Sequence, residues 1–454
     1  MDAMQRFTEN VVNTTYADLP ASTVAATKTF LLDTLGVCVA GSTGAGVREL
    51  LAPLRHWGGT AESTVLVFGD KLPAPWAAMA NSVMMHNLEF DCIHEPAVIH
   101  PFTTALPAAL AVAEAQGGIS GKTLLTALAA GVDTSTRIGM SSRARMRFFR
   151  PGVCGAFGAV AAAAKVVGCD VDTTNRAMGL LYSQICGTLQ PHHEGVTAIS
   201  MQPGFNAKAA VIALAFARQG IVGSRQVLEG EYGYFRLFEG AYDLTEALTT
   251  LGTSWEVERL SHKPFPSGRL THGAVEAAMA LRQQYHVQPQ DIADIVVEAP
   301  PLVQNLVGRA LQTHTPSPQF ARLCLPLVLA HVFLKGDVFI NDFEGEALTD
   351  PQVHALAQKI RVVRNTAVHD ENAMVPLILH VHLRNGQQHT MGLEAVLGSP
   401  AKPLSQEAQL QKFRRCWQHG GQRLPAGNAE RLIALVQHLE EVDDVTGLCR
   451  LVTP

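Results

Sequence analysis

Charge is scarce in this chain, and signature motifs are scarcer. Asp, Glu, Lys and Arg make up 17% of the 454 residues, against about 25% in an ordinary soluble domain, so much of the chain is expected inside thick helical layers or against a second subunit. No run of five basic residues occurs, and the formal charge is −5. Neither nucleic acid nor an anionic membrane surface is therefore an expected partner. The eight cysteines (Cys38, Cys92, Cys154, Cys169, Cys186, Cys324, Cys416, Cys449) contain no CxxC pair and read as reduced thiols of a cytoplasmic protein. The N-terminal MDAMQRFTENVV has no basic segment before an apolar run, unlike a secretory signal. No uninterrupted apolar stretch reaches about 18 residues, so no membrane span is expected. GSTGAGVRE lacks the Lys-Ser/Thr of a P-loop, and neither GxGxxG after a strand nor GxSxG occurs, which leaves no recognisable cofactor motif.

What is abundant is helix. From Pro20 to about residue 260 the chain runs through long Ala- and Leu-rich segments that end at Gly or Pro, among them ASTVAATKTFLLDTLGVCVAG, GAFGAVAAAAKVVG and FNAKAAVIALAFARQG. Small residues in such runs let helices approach closely. After Lys263 the texture changes. IADIVVEA (292–299), IRVVRNT (360–366) and LILHVHLRNGQQHTMGLEAV (377–396) read as strands, the last as a hairpin turning at Asn385-Gly386 through a type I′ turn. GAVEAAMALRQQYH and ARLCLPLVLAHVFLKG read as helices between them, and TPSPQ (315–319) as a rigid, unpaired connector. The fold class is mainly α with an α+β insert. A large helical domain from 1–264 and 396–454 is expected around a small α+β domain at 265–395, because the tail returns to amphipathic helix.

Four groups of residues could carry chemistry. HNLEFDCIHEPAVIHP (86–101) places three histidines and three carboxylates in sixteen residues. A zincin needs HExxH on one helix face; His94 and His100 are six apart with Pro96 between them, so no metal site is expected. His86, Glu89 and Asp91 close an apolar helix, and Cys92 to Pro101 form the loop after it, a place where acid–base groups are usefully displayed. The plain alternative is a capping Asp and surface histidines. Arg143, Arg145, Arg147 and Arg150 precede a Gly- and Ala-rich helix, and Arg150 beside free N–H groups would suit a small carboxylate. The other arginines fit a solvated turn. Lys208 stands in a run with no other charge before Arg218, either snorkelling or buried for a purpose. SHKPFPSGRLTHG brings His262, Lys263, Arg269 and His272 to the join of the two domains, where ligand clefts are common and where polar linkers are common too.

LLDTLGVCVAG, HNLEFDCIHEPAVIHP with its aromatic-Asp and His-Pro steps, the Gly-Ala helix after Arg150-Pro151, MQPGFNAKAA, VLEGEYGYF and KPFPSGRLTHGAVEA occur in this order and spacing. Together they resemble the MmgE/PrpD family, over nearly the whole chain. The resemblance implies a cofactor-free enzyme, usually a homodimer, of the group containing 2-methylcitrate dehydratase, cis-aconitate decarboxylase and iminodisuccinate epimerase. Carried over residue by residue, it puts acid–base roles on Asp91, Glu89 and His100 and cationic roles on Lys208 and Lys263. Departures accompany it: Cys92 stands for a second Asp, Ile93 for Thr, Phe149 for His, Gly268 near a His of the decarboxylase branch, and Leu327 for Tyr.

The chemistry shared by such enzymes is making or quenching a carbanion next to a carboxylate, which requires a placed base and fixed positive charge. The expectation is that His100, oriented by Asp91, moves the proton. Lys208, Lys263 and Arg269, with Arg150 as a further cation and Glu89 beside them, would hold a small polycarboxylate substrate, leaving His94 and His272 as general acids. A lyase of hydratase or dehydratase type leads. An epimerase of an iminodisuccinate-like acid is the alternative, and a non-catalytic metabolite-binding dimer the third reading.

Overall fold

A computed structural model describes residues 2–311 and 315–454. Six long helices build the first part: α1 (Ala21–Gly41), α2 (Ala74–His86), α3 (Phe102–Ala115), α4 (Gly121–Met140), α5 (Gly155–Val166) and α6 (Ala198–Arg218). Their sequences are apolar on nearly every side, and α3 and α5 are buried over almost their whole length, as a helix without a polar stripe must be. α1 is long and apolar enough to cross a membrane, contrary to the expectation from uninterrupted runs. Its apolar window is 72% buried, because it packs against α2 and against a helix of the tail, Gln406–Gly420.

Small residues set the spacing of this layer. A Cβ on Gly158 of α5 would stand 2.5 Å from the carbonyl oxygen of Gly131 on α4, and one on Gly131 would meet the Gly158 carbonyl at 2.7 Å. The two helices thus touch backbone to backbone, and only glycine fits at the crossing.

The second part has its own core. Here α7 (His272–Tyr285) and α8 (Leu325–Lys335) cover a four-stranded sheet of β1 (Ile292–Ala299), β2 (Ile360–Arg364), β3 (Leu377–Leu383) and β4 (Gln388–Leu393), in the order β2-β1-β3-β4. β1 is parallel to β2 and antiparallel to β3, and β3 pairs antiparallel with β4. Inward residues alternate along β1 from Ile295, leaving Ile295, Val297 and Ala299 buried, the period-two pattern of a half-covered strand; an irregularity at Ile292–Asp294 precedes them. The β3–β4 turn differs from the type I′ turn expected at Asn385-Gly386. Of the turn residues only Gly386 has positive φ (86°), and Leu383 accepts from Gly386 N–H at 3.0 Å while donating to Gln387 at 2.8 Å. This is a three-residue loop with glycine in the left-handed position. The 315–319 connector is also less isolated than expected: Pro318–Arg322 form one helical turn capped by Ser317, whose hydroxyl donates to the Gly195 carbonyl across the join.

The tail returns. α9 (Gln406–Gly420) lies on α1, and α10 (Asn428–Gln437) packs beside it, so Phe413, Leu432, Ile433 and Val436 share one core with residues from the N-terminal helices. The cysteines are unpaired. We expect Gly158→Val to destabilise the protein by about 1–3 kcal/mol through overpacking, read as a lower urea midpoint with an unchanged slope.

Candidate active site

The site begins where α2 stops. Its last residue, His86, is buried, and the chain then reverses through Glu89, whose φ of 52° is left-handed. That reversal carries Asp91 back beneath His86. Residues 92–100 form a tight loop: Ile93 exchanges hydrogen bonds with Ser261 at 3.0 and 2.7 Å, and His94 exchanges them with Ile99 at 2.8 and 3.3 Å. Val98 sits at φ 54°, a conformation that a β-branched residue adopts only when its surroundings impose it. The loop ends at His100, whose carbonyl accepts from Thr103 at the start of α3 at 2.6 Å.

Asp91 has no solvent exposure, and its Oδ2 lies 2.9 Å from Nδ1 of His86 and 2.9 Å from Nδ1 of His100. Nδ1 of His100 is also 2.9 Å from the Cys92 carbonyl. Both neighbours are acceptors, so Nδ1 carries the proton and Nε2 is left with its lone pair. The two rings meet edge-on with centroids 4.9 Å apart. Fully buried Lys263, from the domain join, donates to Glu89 at 2.9 Å and lies 3.8 Å from Asp91. The electrostatics separate the two imidazoles. For His86, burial favours the neutral ring, but Asp91 and Glu89 outweigh it and raise its pKa. For His100 burial prevails over Asp91, aided by Lys263, and the pKa falls. Burial would lift both carboxyls, yet His100, His86 and Lys263 hold Asp91 well below its usual value, while Lys263 and the histidines bring Glu89 to about 2. The cluster therefore pairs an imidazole whose protonated form is favoured, His86, with one whose neutral form is favoured, His100, on one carboxylate. Pairs of titrating groups driven apart in this way mark acid–base assignments.

Around this cluster lie donors in search of acceptors. Nε2 of His86, Nε2 of Gln202, Nε2 of Gln319 and Nε of Arg322 are buried without a hydrogen-bond partner among the described residues. Gln202 stands beside Phe149, both 3.4 Å from the place a Cβ on Gly187 would take, and the Phe149 ring is 5.8 Å from that of His86. Arg322 is fully buried, held by Glu344 at 3.2 Å, and the Glu89 carboxylate acts on it; burial lowers its pKa to about 10, which leaves it charged. Gln319 precedes it by one turn. Buried His192, brought to about 4 by burial, feels Glu89 and His86. Three unsatisfied N–H donors besides that of the acid–base pair itself suit a ligand rich in carboxylate oxygens. Sequence reading missed Gln202, Gln319 and Arg322 altogether and took His86 for a helix end. A lone guanidinium at the head of the apolar run ARLCLPLVLAHVF was the available signal.

Of the residues expected at the site, Asp91, His100, Lys263 and Glu89 come together. The others are corrected by their surroundings. Lys208 is half-buried against the rings of Trp76 (5.7 Å) and Phe205 (5.8 Å); Trp76 is ten residues along α2 from His86, roughly 15 Å away. Arg150 is buried and spent on Glu239 (3.0 Å), Ser142 (2.9 Å) and the Ala144 carbonyl (3.2 Å). Arg269 is likewise spent on Glu95 at 2.7 Å and on the carbonyls of His262, Val396 and Leu397. His94 donates to Glu256 at 2.9 Å and accepts from Ala97 N–H at 3.3 Å, so both nitrogens are occupied. His272 lies between the Ser267 carbonyl and Arg269, and burial with the nearby cations keeps it neutral, which removes it as a general acid. The capping-Asp and surface-histidine alternative fails as well, since Asp91, His86, His94 and His100 are all buried. His86, Asp91 and His100 have the composition of a metal ligand set, with ligand atoms within 4.8 Å of one another. Both imidazoles, however, sit at hydrogen-bond distance from one oxygen with an ammonium close by, which favours bridging protons over a bridging cation.

A mainly helical chain with a small α+β part and a buried acid–base cluster on the helical part, closed by Lys263 at the join, defines the class of protein. Residues 5–247 match the MmgE/PrpD N-terminal domain and residues 265–441 the MmgE/PrpD C-terminal domain. The chain belongs to the MmgE/PrpD family. It is 27% identical to cis-aconitate decarboxylase of Mus musculus, an alignment covering 93% of this chain and 88% of that protein. It is 27% identical to that of Homo sapiens (93% and 89%) and 24% identical to that of Aspergillus terreus (96% and 92%).

We expect NMR titration of the imidazoles to place His86 above the usual histidine range near 6.5 and His100 below it. Asp91→Asn, which removes the shared charge, should lower the pKa of His86. A His86 that titrates below His100 in the unaltered protein would reverse the assignment of acid and base.

Proposed function

We propose that the protein is a lyase of the hydratase or dehydratase type, working without a cofactor on a small polycarboxylate of the aconitate or methylcitrate kind. The neutral Nε2 of His100 takes the proton next to a substrate carboxylate. Nε2–H of His86 then protonates the leaving hydroxyl, which departs as water while the carbon–carbon double bond forms. Afterwards His100 is the imidazolium and His86 the neutral ring. Lys263 and Arg322 face the charge that spreads onto the carboxylate, supported by the amides of Gln202 and Gln319. The observation that carries this reading is the sharing of Asp91 by two imidazoles whose pKa values move in opposite directions.

The epimerase alternative needs acid and base on opposite faces of the same carbon. Rings in edge contact, 4.9 Å between centroids, leave no room for a carbon between them, which favours removal of proton and hydroxyl from one side. The named relatives are decarboxylases, and loss of carbon dioxide would give a similar carbanion. Phe149, Gly268 and Leu327, apolar where the resemblance implies protic side chains, speak for the dehydratase. The homodimer implied by the resemblance belongs to the same proposal, with light scattering as its check.

Incubating citrate-, methylcitrate- and aconitate-like acids with the enzyme in deuterated water, followed by NMR, distinguishes these readings. We expect interconversion of hydroxy acid and alkene. Label at a stereocentre without an alkene would replace this reading with the epimerase, released carbon dioxide with the decarboxylase, and no change with a binding protein. His100→Asn and His86→Asn should each lower kcat about 10²–10⁴-fold, and Arg322→Met should lower kcat as well as raise KM. Lys208→Met should leave both within about twofold, since the ammonium is held over the Trp76 and Phe205 rings. For the unaltered enzyme, kcat/KM should fall on the acid side as His100 protonates and on the alkaline side as His86 loses its proton. His86→Asn should abolish the alkaline limb.

A further inference from the structure

Behind the charged cluster, on the far side of the segments that carry it, a cavity of about 710 Å³ opens between α1, α9 and α10. Leu19, Val24, Leu32, Leu410, Phe413 and Val436 give it an apolar floor, and Gln406, Gln409 and Gln437 stand among them. Its lining also includes Lys28, ion-paired with Glu440, and two further polar side chains with buried, unsatisfied atoms. Asp33 is 6% exposed and His262 5%; Oδ2 of Asp33 and Nε2 of His262 have no hydrogen-bond partner among the described residues. An apolar pocket of this size with a few convergent polar atoms is the usual form of a small-molecule site, and such atoms cost free energy until something satisfies them.

The charges narrow the ligand. Oδ1 of Asp33 is already paired with Lys412 at 2.7 Å, so its charge is compensated. Asp33 is the main charge acting in favour of His262 protonation, but burial brings that imidazole to about 4 and leaves it neutral. A carboxylate with a spare lone pair beside a neutral imidazole asks for one group that both donates and accepts. A neutral hydroxyl does this, donating to Asp33 and accepting from the ring; an ammonium has no lone pair to offer, and a second carboxylate would meet Asp33 head on.

The position of the cavity gives binding a consequence. His262 directly precedes Lys263, and Lys412, the partner of Asp33, also donates to the carbonyl of Phe90 at 2.8 Å, next to Asp91. His262 thus lines the pocket while its neighbour Lys263 belongs to the acid–base cluster, and residues 90–92 are tied to the pocket wall through Lys412 and Asp33. We propose that this cavity is an effector site for a small apolar molecule with a single hydroxyl head, and that occupancy is felt at residues 90–92 and 262–263.

The test uses the full chain and 1-hexanol, with hexylamine and hexanoate as probes of the same length, read by thermal shift, ligand-observed NMR and hydrogen exchange. Expected are saturable binding of one 1-hexanol per chain, affinity rising roughly fourfold per methylene from butanol to hexanol, and altered exchange confined to 90–92 and 262–263 among segments outside the pocket. Ala25→Trp, a substitution at an exposed lining residue, should weaken binding at least tenfold without changing the unliganded midpoint. Unsaturable binding, or equal binding by Ala25→Trp, would overturn the site. Tighter binding of hexylamine or hexanoate would overturn the hydroxyl assignment, and saturable binding with unchanged exchange at both segments would overturn the coupling. None of these readouts depends on which reaction the enzyme catalyses.

Discussion

Everything at the candidate site depends on the buried carboxylate of Asp91. An isolated charge with no access to water would be prohibitively costly, and this one is tolerated because two imidazoles and an ammonium converge on it. Those partners come from three places: the end of α2, the start of α3 and the join between the domains. The left-handed backbone at Glu89 and Val98 is the local cost of that convergence. In the proposed reaction His100 gains a proton from the substrate as His86 gives one to the leaving hydroxyl, so the carboxylate faces one imidazolium before and after, and the interior never has to accommodate a change in net charge.

The fold was largely legible because it is written in texture. Long Ala-rich runs without a polar stripe can only be buried helices, and the β-branched runs after residue 290 became the strands Ile292–Ala299, Ile360–Arg364 and Leu377–Leu383. Turn detail was less legible: Asn385-Gly386 suits two hairpin loops, and the pairing of Leu383 with Gln387 decided between them. The site was legible where its residues are close in sequence, as Glu89, Asp91 and His100 are. It failed where partners are distant. Nothing near Arg150 announces Glu239, 89 residues on, and nothing near Arg269 announces Glu95. On α6 the error was one of helix face: Gln202 and Lys208 are six residues apart, so they point about 120° away from each other. Finding the right segment did not find the right side.

The misassigned cations show how a charge-poor chain uses its few charges. Arg150, Arg269 and the His94–Glu256 pair are buried, fully hydrogen-bonded struts that tie loops to elements far away in sequence. Removing one partner from such a pair leaves a stranded ion, which costs about 3–5 kcal/mol. Loss of activity on mutating one of them would therefore report a misplaced loop.

The division of labour between the two parts of the chain has an evolutionary corollary. His86, Asp91 and His100 lie on one rigid frame, whereas Gln319 and Arg322 belong to a single short helical turn, Pro318–Arg322, in a different stretch of polypeptide. Under the proposed function, recasting that turn would alter which acids are admitted while the acid–base pair stayed intact. A lineage could thus diversify its diet of metabolites by drift in one pentapeptide, keeping an ancestral reaction as the heritable constant.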